Sequence, residues 1–301
     1  MPQVVIVGSI NMDVVARTSH HPVPGETILG SDLRYIPGGK GSNQAVAAAR
    51  AGGNVRLVGR LGGDAFGNAL RQFLGGESLN LDDLKDLPDY PTGVAIITVS
   101  DTGENTIVVI PGSNGQLHES DVTNLQVSAG DIVATQLEIP LPTVSALLKH
   151  VRSQGARTLL NPSPYAPLSS DVFALCDVLV LNEIELGQYS GREVGATPQE
   201  AIAAARTFRS FTDQIIVVTL GSKGLVAISG DQELQINGRS VTVVDTTGAG
   251  DCFTGTLAVA LSEGKALHDA LTFANAAAAL SVQKVGASAS LPMRAEIEAS
   301  L

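Results

Sequence analysis

The sequence predicts an α/β fold in which helices cover both faces of a mostly parallel central sheet, with a small separate β lid. Short apolar strands alternate with helical segments from residue 131 onward, a pattern typical of parallel sheets buried on both faces. Glycine-rich turns at 37–45 and 245–251 each lead into a helix. A hairpin pattern at 92–110 interrupts the order of strands and helices, so we expect it to lie outside the main sheet.

Composition excludes several classes of protein. The chain has 301 residues, of which 44% are hydrophobic and 16% charged, enough to bury one large core with a small appendage or two modest domains. A formal charge of -11 argues against broad affinity for nucleic acid. Cys176 and Cys252 show neither a disulfide pattern nor a zinc spacing, which fits a reducing compartment. The apolar run at 4–7 is too short for a membrane helix, so we predict a cytoplasmic protein that does not bind membranes.

The first strand is predicted at 3–7, and Asn11 and Asp13 follow it closely. If the strand pattern continues through them, both side chains project to the same face and can bond neighbouring hydroxyls of a polyol. A turn capped by the two side chains is the alternative. Prolines and glycines break the strands after Val14, and we expect a lid formed by about 14–36 and 92–110, which could cover a bound substrate.

The glycine turn at 37–45 leads into an alanine-rich helix at 45–51. It is not a Walker A loop, because Lys40 is followed by glycine and the required spacing before it is absent. The main-chain amides of the turn would suit sugar hydroxyls, and these residues are Gly39, Lys40, Gly41, Ser42 and Asn43. Lys40 could help to neutralise a phosphate, although a solvated loop lysine is the alternative.

Polar groups follow several predicted strands, where ligands of parallel α/β sheets bind. The set comprises Gln136, Glu138, Asn161, Asn182, Glu185, Thr219, Gly221, Ser222 and Gly224. Asn182 and Glu185 lie three apart on a starting helix, as a water-mediated magnesium site or a simple helix cap would require. Asn275 precedes four alanines on a helix smooth enough to lie against a flat ring or to pack in a core. The segment 284–290 is interpreted as a loop rich in free carbonyls.

The segment 245–251 is interpreted as a phosphate-handling turn. The run at 241–244 alternates like the end of a strand, and a helix is predicted from Asp251 onward. Gly248 and Gly250 let the backbone turn tightly and leave amides free to bind anionic oxygens. Asp251 is then placed to accept a proton from an attacking hydroxyl, which indicates phosphoryl transfer to an alcohol. An ordinary glycine turn with Asp251 as the helix N-cap is the alternative.

Three motifs in this order resemble those of the PfkB-type carbohydrate kinases, and within them the ribokinase group, over nearly the whole chain. They are GGKGSNQA at 38–45, Asn182-x-x-Glu185 and DTTGAGD at 245–251. The resemblance implies a ribokinase-like three-layer α/β/α sandwich, one domain over 1–301, whose β lid commonly makes a dimer contact. It also implies ATP-dependent phosphorylation of D-ribose at the 5-hydroxyl, with Mg²⁺ as the counter-ion of the nucleotide.

The resemblance further implies the roles of individual residues. Asp251 would be the base, and the amides of Gly248, Ala249 and Gly250 would form the anion hole with that of Asp251. The sugar would be held by Asn11, Asp13, Gly39, Lys40, Gly41, Ser42, Asn43, Glu138 and Asp251. ATP would be held by Asn182, Glu185, Thr219, Gly221, Ser222, Gly224, Gly250 and Asn275. K⁺ would be held by Asp245, Thr247, Ser281, Lys284, Gly286 and Ser290.

Other functions remain open at the level of sequence. Another sugar or nucleoside kinase, such as a fructokinase or a deoxyribose kinase, shares the implied fold, although Asn11 and Asp13 with Glu138 resemble the ribose-binding set. A non-catalytic sugar-binding relative is disfavoured because the base Asp251 is present. A nucleotide-dependent oxidoreductase is disfavoured because no Gly-x-Gly-x-x-Gly follows the first strand.

Overall fold

The computed structural model describes residues 2–194 and 197–301 and confirms the predicted fold class. The strands are β1 (Val4–Val7), β2 (Asn11–Thr18), β3 (Asp32–Gly38), β4 (Val55–Gly62), β5 (Leu79–Asn80), β6 (Leu84–Leu87), β7 (Gly93–Ser100), β8 (Asn105–Ile110), β9 (Ile132–Thr135), β10 (Arg157–Leu160), β11 (Val178–Asn182), β12 (Ile215–Thr219), β13 (Gly224–Ser229) and β14 (Gln232–Asn237). The helices are α1 (Lys40–Arg50), α2 (Ala65–Gly75), α3 (Glu119–Val122), α4 (Leu141–Ser153), α5 (Ser170–Phe173), α6 (Glu183–Ser190), α7 (Pro198–Phe208), α8 (Ala249–Ser262), α9 (Leu267–Ser281), α10 (Ala287–Ser290) and α11 (Arg294–Ala299). Short 3-10 turns span Gly112–Gln116 and Gly221–Lys223.

The main sheet has the strand order β14-β13-β12-β11-β10-β9-β1-β4-β5, and β6 also pairs with β4. Pairing is parallel from β5 to β12 and antiparallel for the hairpin β13–β14 at one edge. The carboxyl ends of the parallel strands therefore meet at one edge of the sheet, where α/β proteins bind ligands.

Helices cover both faces of the main sheet, as the strand composition predicts. Along β1, Val4 and Ile6 belong to one core, whereas Val5 and Val7 belong to the other. The first core includes α1, α8 and α9, and the second includes α4 and α7. Because successive strand residues point to opposite faces, an all-apolar strand such as β1 requires a covering layer on each side.

A second, small sheet has the order β3-β2-β7-β8. The predicted hairpin is confirmed, since β7 and β8 pair antiparallel, and β2 pairs with β7 in parallel. Most of the sheet lies within the predicted 14–36 and 92–110, but β2 begins earlier, at Asn11. This start places Asn11 and Asp13 on a strand and excludes the capped turn that was the alternative.

The prediction of a strand at 241–244 is wrong. This segment is a loop, and β14 ends before it at Asn237. Val243 and Val244 are exposed, and the Val244 amide donates to the Val282 carbonyl at the end of α9, not to a neighbouring strand. Alternating branched residues favour a strand only where a partner strand is available.

Two further boundaries differ from the prediction. Helix α1 begins at Lys40, earlier than the predicted 45, because Gly39 has a φ of 91° and acts as its N-cap. The predicted carbonyl-rich loop at 284–290 contains the helical turn α10. In the described ranges 2–194 and 197–301, no helix combines the length and the apolar character that a membrane span requires.

Candidate active site

Asp251 lies in the first turn of α8, at the edge of the main sheet where the parallel strands end. Its carboxylate is 6% exposed and is held by two side-chain amides from α1. Asn43 Nδ2 donates to Oδ2 at 3.1 Å, and Gln44 Nε2 donates to Oδ1 at 3.0 Å. Each carboxylate oxygen keeps lone-pair capacity for a further donor. The buried carboxylate is therefore fixed in place while it can still accept a substrate proton.

Helices α1 and α8 approach each other closely at this point. A Cβ on Gly255 would lie 2.2 Å from the main-chain oxygen of Gln44, so no larger residue fits there without movement. Gly255 is one helical turn after Asp251, and this contact brings the α1 amides within reach of the carboxylate.

Asp251 does not cap α8, which answers the alternative raised by the sequence. Gly248 occupies the N-cap with a φ of 77°, a left-handed conformation that favours glycine, and Asp251 is the third helical residue. Among the described residues, the amides of Gly248, Gly250 and Asp251 donate to no protein acceptor, whereas that of Ala249 donates to Thr246 O at 3.2 Å. Free amides at a helix N-terminus are suited to an anionic oxygen.

Asn11 and Asp13 lie on β2 and are both buried. Asn114 Nδ2 donates to Asn11 Oδ1 at 2.7 Å, which fixes the orientation of the Asn11 amide. The Asp13 carboxyl packs against Gly38, where a Cβ would lie 2.3 Å from Oδ2. Burial, reinforced by the charges of Glu138 and Asp251, raises the pKa of Asp13 to about 7.

Glu138 and Lys40 complete a cluster of charges around Asp251. Glu138 Oε2 accepts from Ser9 Oγ at 2.5 Å and from the Lys40 amide at 3.3 Å. Burial lowers the pKa of Lys40, but the carboxylates of Asp251, Glu138 and Glu185 outweigh burial and hold its pKa above the ordinary value. The ammonium group of Lys40 is therefore charged, and the solvated loop lysine that the sequence left open is excluded.

Most main-chain amides of the α1 turn are not free for sugar hydroxyls, contrary to the prediction, and among the described residues only that of Gly39 donates to no protein acceptor. The amides of Gly41, Ser42 and Asn43 donate to Ser9 Oγ, Ser9 O and Gly39 O at 3.5, 2.9 and 2.9 Å. They are committed because α1 begins at Lys40 and packs on the residues after β1. Side chains, above all that of Asn43, are the groups of this segment that face Asp251.

Two cavities meet at Gly250 and Thr219. The smaller, of about 210 Å³, is lined by Lys40, Asn161, Ser163, Val180, Leu181, Asn182, Glu185, Thr219, Gly248, Gly250 and Asp251. The larger, of about 650 Å³, is lined by Thr219, Gly221, Ser222, Gly224, Gly238, Arg239, Ser240, Val241, Val243, Thr246, Ala249, Gly250, Phe253, Asn275, Ala278, Ala279 and Val282. The first is polar and the second is walled largely by apolar groups. An elongated ligand with a flat apolar end and an anionic end fits this pair of cavities.

Asn182 and Glu185 form a capping box at the start of α6. Asn182 Oδ1 accepts from the Glu185 amide at 2.7 Å, and Glu185 Oε2 accepts from the Asn182 amide at 3.0 Å. The capping alternative is therefore what the structure shows. Both residues still line the smaller cavity. Among the described residues, no group of three or more His, Cys, Asp or Glu side chains could hold a metal ion.

The predicted cation residues are only partly brought together. Asp245 accepts from Thr247 Oγ1 at 2.7 Å and from the Gly286 amide at 2.9 Å. Burial raises the pKa of Asp245, but these hydrogen bonds outweigh it and lower that pKa below the ordinary value. Lys284 instead pairs with Glu296 at 3.3 Å.

The remaining predicted cation residues are buried on helices. Ser281 Oγ donates to Ala278 O, and Ser290 Oγ donates to Ala287 O. The Ser288 carbonyl, which the sequence suggested was free, accepts from Arg50 at 3.0 Å. Part of the predicted carbonyl-rich loop is therefore already hydrogen-bonded, because α10 forms a helical turn there and Arg50 donates to the Ser288 carbonyl.

Sequence reasoning missed several residues of this region. It assigned no role to Gln44, Asn114 or Ser9, because their partners are remote in the chain. It also missed the loop 238–246, which lines the larger cavity. The sequence signal for the larger cavity was the alanine run after Asn275, and Ala278 and Ala279 do line that cavity.

Comparison with known proteins identifies the family. The model of the pfkB family carbohydrate kinases matches residues 1–294. The chain is 36% identical to a ribokinase of Haemophilus influenzae, over 97% of this chain and 95% of that protein. It is 37% identical to a ribokinase of Bacillus subtilis, over 99% of each. The structure of Arabidopsis thaliana ribokinase complexed with ribose and ATP superposes with a TM-score of 0.87 at 34% identity, covering 99% of this chain and 97% of the other. The chain therefore belongs to the pfkB family of carbohydrate kinases.

Proposed function

We propose that this chain is an ATP-dependent kinase that phosphorylates D-ribose at the 5-hydroxyl and releases ADP. The observation that carries the proposal is the position of Asp251. Its buried carboxylate lies beside unbonded amides of a helix N-terminus and lines the smaller of the two cavities. Full-length similarity to ribokinases, one of them described with ribose and ATP, supports the choice of substrates.

The reaction follows from the groups around Asp251. The sugar hydroxyl gives its proton to the Asp251 carboxylate as its oxygen attacks the γ-phosphorus of ATP, and the bond to the β-phosphate oxygen breaks. Amides at the start of α8 stabilise the charge on the transferring phosphoryl group. Lys40, which is half-buried and charged, lines the smaller cavity and adds positive charge near the same oxygens.

The nucleotide is assigned to the paired cavities. The base and ribose of ATP occupy the larger cavity against Ala278 and Ala279, with Asn275 at its wall. The phosphates pass Gly250 into the smaller cavity, where Asn182, Glu185 and Thr219 lie. Mg²⁺ enters as the counter-ion of the nucleotide, since carboxylate and phosphate oxygens suit it and few protein ligands are needed.

D-ribose should be the preferred acceptor. Asn11 and Asp13 are buried polar groups, and a sugar that lacks a hydroxyl leaves one of them unmatched at a cost of about 1–3 kcal/mol. We therefore expect 2-deoxyribose to be roughly 10- to 100-fold worse in kcat/KM. Turnover of a panel of sugars, measured at pH 8 where Asp13 is ionised, checks this. If deoxyribose or fructose is the better substrate, the assignment to ribose is wrong although the kinase reaction stands.

Monovalent cation should control turnover. The ionised Asp245 anchors Gly286, and the segment 286–290 abuts the anion hole, since a Cβ on Gly248 would lie 3.1 Å from Ala287 Cβ. Asp245 with Thr247, Ser281, Lys284, Gly286 and Ser290 would supply side-chain or main-chain oxygens to K⁺, although the hydroxyls of Ser281 and Ser290 are bonded within their helices. A bound K⁺ supplies positive field beside the transferring phosphoryl group. We expect activation by K⁺ at fixed Mg²⁺. Equal turnover in potassium and in a bulky organic cation, at matched ionic strength, would contradict this role.

The small sheet is proposed to act as a lid of a single domain and as the contact of a homodimer. Its edge strand β8 exposes Ile107, Val108, Val109 and Ile110. An unpaired apolar edge is a liability unless it is covered. We expect a dimer in sedimentation experiments and a shift to monomer in Val108→Lys. Met293→Lys, at an exposed apolar residue outside the small sheet, is the control. A wild-type monomer at all concentrations would contradict the dimer.

A cytoplasmic location is proposed from the cysteines. Cys176 and Cys252 are both buried and free. Unpaired thiols persist in reducing compartments. Fractionation of cells that express the chain checks this location, and recovery outside the cytoplasm would contradict it.

A further inference from the structure

A chain of buried glutamine amides leads to the catalytic carboxylate. Gln44 Nε2 lies 3.0 Å from Asp251 Oδ1, and Gln136 Nε2 donates to Gln44 Oε1 at 2.6 Å. Both glutamines are fully buried. Neither has a role in the reaction as described so far, although Gln44 contacts the base directly.

The orientation of the Gln44 amide is decided by its neighbours. An ionised carboxylate only accepts hydrogen bonds, so Gln44 must present its NH₂ group to Asp251. The second N–H of this group points to Asn161 Oδ1 at 3.3 Å, and Asn161 Nδ2 donates to Val180 O, which fixes the Asn161 oxygen as an acceptor. Gln136 supplies the donor that Gln44 Oε1 needs. Every polar atom of the Gln44 amide is therefore bonded in one orientation.

Gln136 is held in an orientation that is unfavourable for Gln136 itself. Its Oε1 is buried and has no hydrogen-bond partner in the described part of the chain. This oxygen faces Gly8, where a Cβ would lie 2.0 Å from it. Rotating the amide would set two oxygens, those of Gln136 and Gln44, against each other. A buried acceptor without a donor lowers stability, so the neighbours of Gln136 must hold its amide in this orientation.

We propose that Gln44, oriented by Gln136, is a positioning residue for Asp251. The amide holds Oδ1 so that a free lone pair of the carboxylate meets the sugar hydroxyl. Gln44 is a neutral donor, so it holds the carboxylate without adding a positive charge. This role rests on the proposed function, because it concerns the proton transfer from the sugar.

The variant Gln44→Met tests the proposal. Methionine keeps the length of the side chain and removes both N–H donors. We expect kcat to fall by about 10- to 100-fold, because small misplacements of a catalytic group are costly in rate, while KM for ribose and for ATP stays within about threefold. An unchanged kcat would overturn the proposal.

Gln214→Met is the matched control. Gln214 is also fully buried, and its Nε2 donates to Phe173 O at 2.8 Å and to Cys176 O at 2.7 Å. It precedes β12, at the end of the sheet opposite to Asp251. We expect this variant to lose thermal stability and to keep its kcat. If both variants lower kcat equally, Gln44 is only structural and the proposal is wrong.

Gln136→Met tests whether Gln136 affects the reaction by orienting Gln44. We expect a loss in kcat of about 3- to 10-fold, and no further loss when it is combined with Gln44→Met, since residues that act as a unit are not additive. If the losses in kcat of the two single variants multiply in the double variant, Gln136 acts independently of Gln44, and its proposed role in orienting Gln44 is wrong. Should Gln44→Met fail to fold, Gln136→Met decides alone, and an unchanged kcat contradicts the proposal.

Wild-type turnover of ribose in the same assay separates this inference from the proposed function. An inactive wild type contradicts the function and the positioning role together. An active wild type with an unchanged Gln44→Met contradicts only the positioning role.

Discussion

Asp251→Asn is expected to lower kcat for ribose by about 10²- to 10⁴-fold, the usual value of general-base catalysis, with comparatively little change in the binding of ribose and ATP. The substitution keeps the shape of the side chain and removes the group that accepts the proton. One of the two amides that now bind Asp251, from Asn43 or Gln44, will still donate to the oxygen of the new side chain, and the other will face its NH₂ group. Steady-state kinetics and thermal melting on the same sample check the prediction.

Asp64→Asn provides the matched control for this experiment. Asp64 is a true N-cap, because its Oδ1 accepts from the Gly67 amide at 2.8 Å at the start of α2. Asparagine caps helices about as well as aspartate, but the Asp64 carboxylate also accepts from the Thr92 amide at 2.8 Å and from the Thr92 hydroxyl at 2.6 Å, so we expect some loss of stability with nearly unchanged turnover. Near-wild-type turnover of Asp251→Asn would show that Asp251 is equally dispensable and would end its catalytic role.

Gly248→Ala should lower kcat by about 10²- to 10³-fold, the loss measured when one donor to a developing anion is removed. Gly248 has a φ of 77°, which costs an alanine about 1–2 kcal/mol, and the added Cβ would lie 3.1 Å from Ala287 Cβ. The turn must shift, and the amides at the start of α8 move with it. Single-turnover kinetics at saturating ATP and ribose measure the effect on the chemical step.

Gly264→Ala controls for the strain alone. Gly264 follows the other end of α8 with a φ of 75°, and a Cβ added to it would have no described atom within 4 Å beyond its own chain neighbours. Its alanine variant should lose a similar amount of stability and keep its kcat. If the two variants lose turnover equally, the anion hole is not the cause.

Local patterns were sufficient to predict the fold class. The fully apolar β1 requires cover on both faces, and the hairpin β7–β8 was predicted within one residue at each outer end. Both signals depend on neighbouring residues only, so they can be interpreted without the rest of the chain. The same reasoning failed at 241–244, where branched residues lie in a loop because no partner strand is present.

The candidate site was predictable only in part. The position of Asp251 after a glycine turn is a local feature, and the DTTGAGD motif at 245–251 was sufficient to predict it. The main-chain amides at 41–43 were assigned to sugar hydroxyls, yet they are bonded within the protein because the helix begins at Lys40. Gly39, with its positive φ, sets that start, whereas the alanine-rich run favoured a start at 45.

The sequence by itself determined which residues can do the chemistry and in what order they occur, because glycine turns, helix starts and strand ends depend on nearby residues. Only the tertiary structure decided which of them meet. Gln44 and Asp251 are 207 positions apart, and their contact exists because Gly255 lets α8 lie close against α1. The raised pKa of Asp13 could likewise not be predicted from the sequence, since its value of about 7 comes from burial and from the charges of Glu138 and Asp251. Distances and desolvation across the sheet are properties of packing, and no local pattern encodes them.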